Sequence, residues 1–135
     1  DYTGKKNGAE YAIATRTGLF GEICLKKNDE EAIHQYINYL NRQHGSAEEE
    51  LSFVFERLFQ KQARSVLSQV GNDKYSLDHL VWGFLNNHYS SALTTKNYKK
   101  IFFEISPKIK EIYPKYKKSI DYLLQQIYGE LKTPN

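Results

Sequence analysis

An all-α fold is predicted by three features of this 135-residue chain. Apolar residues recur at three- and four-residue spacing in segment after segment. Acid-rich starts and glycine stops punctuate those segments. No segment shows strict period-2 alternation over four or more residues bounded by hairpin turns. The expected architecture is six or seven helices in antiparallel hairpins, packed as a compact bundle. A short right-handed superhelix of helix pairs is the alternative. No repeat consensus at fixed period favours it.

Residues 45–60, GSAEEELSFVFERLFQ, carry the clearest helix. Ser46 followed by Glu49 fits a capping box, and Glu48, Glu49 and Glu50 suit the positive end of the helix dipole. Leu51, Val54, Phe55, Leu58 and Phe59 form one face, with Phe53 beside it. A stripe with an added aromatic meets neighbours on two sides, so this is expected to be the central packing helix. Full burial of each Leu or Phe contributes roughly 1.5–3 kcal/mol.

The other elements follow in order. Residues 1–7 read as a flexible leader or tether, 8–132 as one helical domain and 133–135 as a tail. Residues 8–24 have a helical pattern, with Ile13, Phe20 and Cys24 near one face, weakened by Thr17, Gly18 and Gly21. Asn28 is the expected cap of a helix with Ile33, Tyr36, Ile37 and Leu40 on its apolar face. Ala63, Val66, Leu67 and Val70 mark a short helix ended by Gly71. Ser76 is the expected cap of the next, which carries Leu77, Leu80, Val81, Phe84 and Leu85. Residues 86–95 read as a polar loop. Asn97 opens a helix with Tyr98, Ile101, Phe102 and Ile105. Ser106-Pro107 starts another, limited by Pro114. The last helix, about 114–131, buries Tyr116, Ile120, Leu123, Leu124, Ile127 and Leu131.

Composition bounds the rest. The single cysteine, Cys24, excludes an internal disulfide. No stretch approaches the roughly 18 continuous apolar residues of a membrane span. The chain starts at Asp1 and has no Met, as expected for a processed terminus or an imposed boundary. Export is therefore expected, to the periplasm or an outer-membrane anchor with a lipid anchor upstream of residue 1. A cytoplasmic location is the alternative. Net charge is +3, but residues 28–60 are acidic and 91–135 basic, a polarity able to steer a partner. Acidic and basic helix faces packed within one molecule would produce the same polarity.

The chain has no phosphate loop, nucleophile elbow, HExxH or cysteine pair. Cys24 beside His34 or His79 would make a nucleophile–base pair, but a cysteine on an apolar helical face reads first as core. His34, His44, His79 and His88 lack metal-ligand spacing, so neither a metal nor a cofactor is expected. Glu30, Glu31, Glu49, Glu56 and Asp78 are the carboxylates open to acid–base work. Lys108, Lys110, Lys115, Lys117 and Lys118 interleave with Tyr113 and Tyr116, a pattern for anionic ligands or single-stranded nucleic acid. Arginine, the usual base reader, is scarce there, so nucleic acid ranks low. Trp82, Asn86, Asn87, His88 and Tyr89 combine aromatic and amide groups at a helix end, a recipe for protein recognition. The structural reading of the same stretch leaves Trp82 half-buried and the asparagines ending the helix.

The runs AEEELSFVFERLFQK (47–61), LVWGFLNN (80–87) and YPKYKKSIDYLL (113–124) give the chain a texture that resembles small, exported, helical hypothetical proteins of the Bacteroidetes type. The resemblance implies an exported, lipid-anchored helical protein and carries no catalytic signature. The leading expectation is a non-enzymatic helical protein of the cell envelope that binds another protein, of inhibitor or immunity type. Two alternatives stand beside it: a small hydrolase with a dispersed carboxylate and histidine site, and an anionic-ligand or nucleic-acid binder working through the lysine run.

Overall fold

The computed structural model describes residues 30–133. The expectations for residues 1–7, for a helix over 8–24, for Cys24 and for the Asn28 cap lie outside those residues, as does most of the tail. Among the described residues there are seven α-helices and no strand: α1 (Glu30–Leu40), α2 (Ser46–Lys61), α3 (Ala63–Val70), α4 (Lys74–His88), α5 (Tyr98–Ile105), α6 (Pro107–Ile112) and α7 (Lys117–Lys132). A 3-10 turn, Tyr89–Ser91, follows α4. The all-α bundle is the fold that the periodicity predicts.

The apolar stripes of the described helices pack inward. Ile33, Tyr36 and Leu40 of α1 meet Leu51, Phe55, Leu58 and Phe59 of α2 in one core, joined by Val66 and Leu67, Leu80 and Phe84, Phe102, Ile109, Ile120 and Ile127. Ring contacts run through it, with Phe102 against Phe84 at 5.5 Å and against Phe59 at 6.3 Å between centroids. Tyr36 is fully buried, and its hydroxyl donates to the Leu51 carbonyl at 2.9 Å. That bond removes the penalty of a stranded polar group.

Helix α2 is central, as its stripe and extra aromatic require. Its most extensive contact is with α4, and it also meets α1, α3 and α6; α4 packs on α7 as well. The partners of α2 rise in number together with those of α4: Ser52 with His79, Glu56 with Asn87, Gln60 with His88. The two helices therefore run parallel, with α3 returning the chain between them. Helix α1 packs on α3 more than on its sequence neighbour α2, and Gln69 of α3 donates to the Glu30 carbonyl at 2.8 Å.

Gly83 sets how closely α2 and α4 approach. A Cβ at this position would fall 2.7 Å from Glu56 Cβ and inside van der Waals contact of the Ser52 carbonyl. Both obstacles belong to a packed helix and cannot swing aside. The side chain on α4 is absent because α2 occupies its place.

Several helix ends differ from the sequence expectation. Gly45, at φ 70°, is the N-cap of α2, so Ser46 is already the first helical residue. The Glu49 amide is taken by the Gly45 carbonyl at 3.1 Å rather than by a Ser46 capping box. Glycine reaches that positive φ without the Cβ penalty. Asp73, not Ser76, caps α4: its carboxylate accepts from the Ser76 amide at 3.3 Å and the Ser76 hydroxyl at 2.7 Å. Ser106 precedes Pro107 at the start of α6 as expected, but its hydroxyl is spent on the Gln60 carbonyl. Helix α7 begins at Lys117 rather than Pro114.

Gly83→Ala should lower stability by roughly 3 kcal/mol, because overpacking against backbone outweighs the ~1 kcal/mol gained in helix propensity. Urea unfolding measures it. An unchanged midpoint would show that α2 and α4 do not depend on this contact.

Candidate functional site

The α2–α4 seam is polar along its length. On α2, Glu48, Ser52, Glu56 and Gln60 recur at four-residue spacing; on α4, His79, Gly83 and Asn87 do the same. Residues four apart share a helix face, so two polar ridges meet. They form two clusters, one on each side of Gly83.

The inner cluster surrounds a buried carboxylate. Glu56 is 1 % exposed. It accepts from Gln60 Nε2 at 2.9 and 2.7 Å and from Asn87 Nδ2 at 2.8 Å, and His88 Nε2 lies 3.4 Å from it. Asn87 also donates to the Phe53 carbonyl at 3.0 Å. The pairing satisfies the carboxylate, which is what makes its burial tolerable.

The outer cluster opens to solvent. Gly45, Glu48, Glu49, Ser52, His79 and Trp82 line a pocket of about 230 Å³. Ser52 Oγ donates to the Glu48 carbonyl at 2.9 Å and lies 3.1 Å from His79 Nδ1. Ser52 has one proton to share between the Glu48 carbonyl and His79 Nδ1, and the imidazole tautomer decides which of them receives it. His79 Nε2 is buried and without a hydrogen-bond partner, 3.6 Å from Glu48 Oε2. Burial holds the His79 imidazole below its usual pKa, although Glu48, Asp78 and Asp73 pull the other way. Tyr75 stacks edge-on against His79 at 4.8 Å. Loss of hydration and then the Glu48 carboxylate push the Tyr75 hydroxyl above its ordinary value.

A serine, a histidine and a glutamate in a row have the composition of a nucleophilic site, but Ser52 is buried. The Glu48 carbonyl also competes with His79 Nδ1 for its proton. A nucleophilic serine needs its proton directed at the base. Asp78, adjacent in sequence, is turned elsewhere and accepts from Tyr122 at 2.8 Å. Among the described residues no group of three or more His, Cys, Asp or Glu side chains converges to hold a metal ion.

The structure divides the stretch Trp82, Asn86, Asn87, His88 and Tyr89. Helix α4 continues through His88, so 86–88 are helical rather than loop. The amides do not end the helix, because Asn87 is held by Glu56 and Asn86 donates to the Trp82 carbonyl at 2.8 Å. Asn87 and His88 turn towards Glu56. Trp82, Asn86 and Tyr89 face solvent; Trp82 is 58 % exposed, well beyond a half-buried position, and Tyr89 is 81 % exposed.

The lysine run is spread over α6, the turn after it and the start of α7. Lys108 donates to the Lys61 carbonyl at 3.0 Å, and Lys115 lies over the Tyr116 ring at 5.5 Å. Lys117 pairs with Asp121 at 2.7 Å. Hydrogen bonds from Lys117 and Tyr113 hold the Asp121 carboxyl below its usual range. Lys110 and Lys118 are exposed.

Sequence reasoning missed Glu48, Ser52 and His79 as one site. The four-residue polar rows were present as a signal, but the stronger apolar stripe beside them hid it. No helix among the described residues is long and apolar enough to cross a membrane. Comparison with protein-family models, curated proteins and solved structures yields no match.

Replacing Glu56 by Ala should cost about 3 kcal/mol, since it strands the Asn87 and Gln60 donors in the seam; chemical denaturation gives the value. The His79 shift makes stability depend on pH. A histidine whose folded pKa is depressed leaves stability intact above the unfolded value, about 6.5, and lets it fall as pH drops through the folded pKa. Thermal unfolding between pH 8 and pH 5 should show that loss in the wild type and a flatter profile in His79→Gln. Parallel profiles would remove His79 from the account.

Proposed function

We propose that this chain is a non-enzymatic helical module that binds another protein, of inhibitor or immunity type, through the outer face of α4. The observation that carries the reading is Trp82, left 58 % exposed on a helix whose neighbouring positions Val81, Gly83 and Phe84 are buried. The core does not need it there. Exposed tryptophan and tyrosine are the residues that dominate protein interfaces energetically. Tyr75, 44 % exposed, precedes Trp82 by seven residues, and Tyr89 follows it by seven, so the aromatics lie along one side of the helix. The acidic first turn of α2 borders them and gives the surface a charge that selects partners. A cell-envelope location is the part of the proposal that rests on the sequence resemblance.

The test is capture from a lysate of the source organism followed by a high-salt wash. The wild-type chain should retain one protein at stoichiometric level. Trp82→Ala combined with Tyr89→Ala should reduce retention at least tenfold while leaving the unfolding temperature unchanged. Retention of nucleic acid alone, lost at high salt, would move the assignment to the lysine run. Equal retention by the double variant would refute the α4 surface.

A further inference from the structure

The Glu48 carboxylate serves two groups of α4. The Tyr75 hydroxyl hydrogen-bonds to it. His79 Nε2 stands 3.6 Å from Oε2, beyond hydrogen-bond reach. That nitrogen is buried and has no hydrogen-bond partner. The Tyr75 and His79 rings meet edge-on at 4.8 Å, one helical turn apart, and Trp82 lines the same pocket a turn further on. The charged groups that act on the imidazole are all acidic: Glu48 from α2, Asp78 from α4 and Asp73 from its cap. Glu49 shares the pocket, and no cation among the described residues lines it. Asp78 and Asp73 are held by Tyr122 and Ser76. Glu48, with its side chain 31 % exposed, is the carboxylate able to turn towards the ring.

We infer that His79 and Tyr75 compete for Glu48, and that protonation of His79 in mild acid draws the carboxylate inward and weakens partner binding at the α4 surface. The inference rests on the proposed protein-binding function and names how that surface is regulated. It does not depend on which nitrogen holds the proton of the neutral ring, because an imidazolium donates from both. Nδ1–H then has Ser52 Oγ at 3.1 Å, whose own proton goes to the Glu48 carbonyl at 2.9 Å. Nε2–H has Glu48 Oε2, and a buried cation is tolerated only beside such a partner. Closing the 3.6 Å gap takes the carboxylate away from Tyr75 and leaves an imidazolium–carboxylate pair in a pocket that was acidic. Tyr75 and Trp82 are two of the exposed aromatics offered to the partner, so both the shape and the charge of that surface change. Loss of hydration holds the imidazole below its ordinary value, so the neutral form prevails at pH 7 and the proton arrives below about 6.5.

Trp82 is the only tryptophan in the chain, so its emission reports from this pocket alone. The full chain is titrated from about pH 8 to pH 5, with the unfolding temperature at the upper end confirming that each variant is folded. Emission should show one protonation step below about pH 6.5, absent from His79→Gln and kept in His44→Gln. Tyr75→Phe frees the carboxylate for the ring and should raise the midpoint by about half a pH unit. Glu48→Gln removes the partner of the imidazolium and should lower it by about one pH unit. No step in the wild type, a step that survives in His79→Gln, or a midpoint that ignores Tyr75→Phe overturns the competition. Protein captured at neutral pH should be released as pH falls, with affinity dropping up to about tenfold per pH unit below the midpoint, as one linked proton requires. His79→Gln should retain it at both ends of the range. Wild-type retention that ignores pH overturns the regulation. The two readings fail separately. If emission follows the expected steps but no protein is captured, the competition stands and the partner reading falls. If Trp82→Ala loses the captured protein while wild-type retention ignores pH, the α4 surface stands and the switch falls.

Discussion

The structure depends on the absence of a side chain at Gly83. There α4 lies directly against the Ser52 carbonyl and Glu56 Cβ of α2, closer than any Cβ allows. That approach fixes the register of the two helices. With it fixed, Glu56 falls opposite Asn87 and His88, and Ser52 falls opposite His79. Each polar group finds its partner only because the helices touch at this point. A helix pair held further apart would leave a buried carboxylate without donors, a cost of several kcal/mol.

The seam also explains how one chain combines a tight core with a polar edge. The inner cluster is closed: Glu56 accepts from two side chains, has His88 3.4 Å away and is nearly sealed from solvent. The outer cluster is open: it lines a pocket, His79 Nε2 has no hydrogen-bond partner there, and an exposed indole stands beside it. The two differ in chemistry more than in position. Glu56 brings acceptors to a place where Gln60 and Asn87 bring amide protons. Glu48 lines an open pocket, where His79 Nε2 stands 3.6 Å from its carboxylate. A satisfied buried network makes the core specific.

Most of the fold was legible in the sequence. The stripes Ile33–Tyr36–Ile37–Leu40 and Leu51–Val54–Phe55–Leu58–Phe59 are buried as their spacing requires, and α2 is the packing centre. Helix ends were read less well. Ser46 and Ser76 have the right chemistry for caps, but Gly45 and Asp73 stand one and three residues earlier and take those roles. Capping depends on local backbone angles that residue type only biases. The end of α4 was misplaced for a different reason. Asn86, Asn87 and His88 have low helix propensity, and the tertiary bonds of Asn87 and His88 to Glu56 hold them helical. The candidate site was only half legible. Trp82 and Tyr89 stood out as aromatics near a helix end, while Glu48 read as a complement to the helix dipole, His79 as a candidate base apart from it, and Ser52 carried no signal.

The sequence by itself determined the all-α fold class, the face that the described helices bury and the central place of α2. Those follow from spacing, which acts within one helix and needs no knowledge of the others. Only the tertiary structure decided that α2 and α4 run parallel in contact, that Gly83 sets their separation, and that a histidine 27 residues from Ser52 completes its hydrogen bonding. It also decided that Trp82 stays outside while His88, six residues on, turns in. Those outcomes depend on which polar groups meet across the seam. Residues far apart in sequence settle that together, and no local pattern records it.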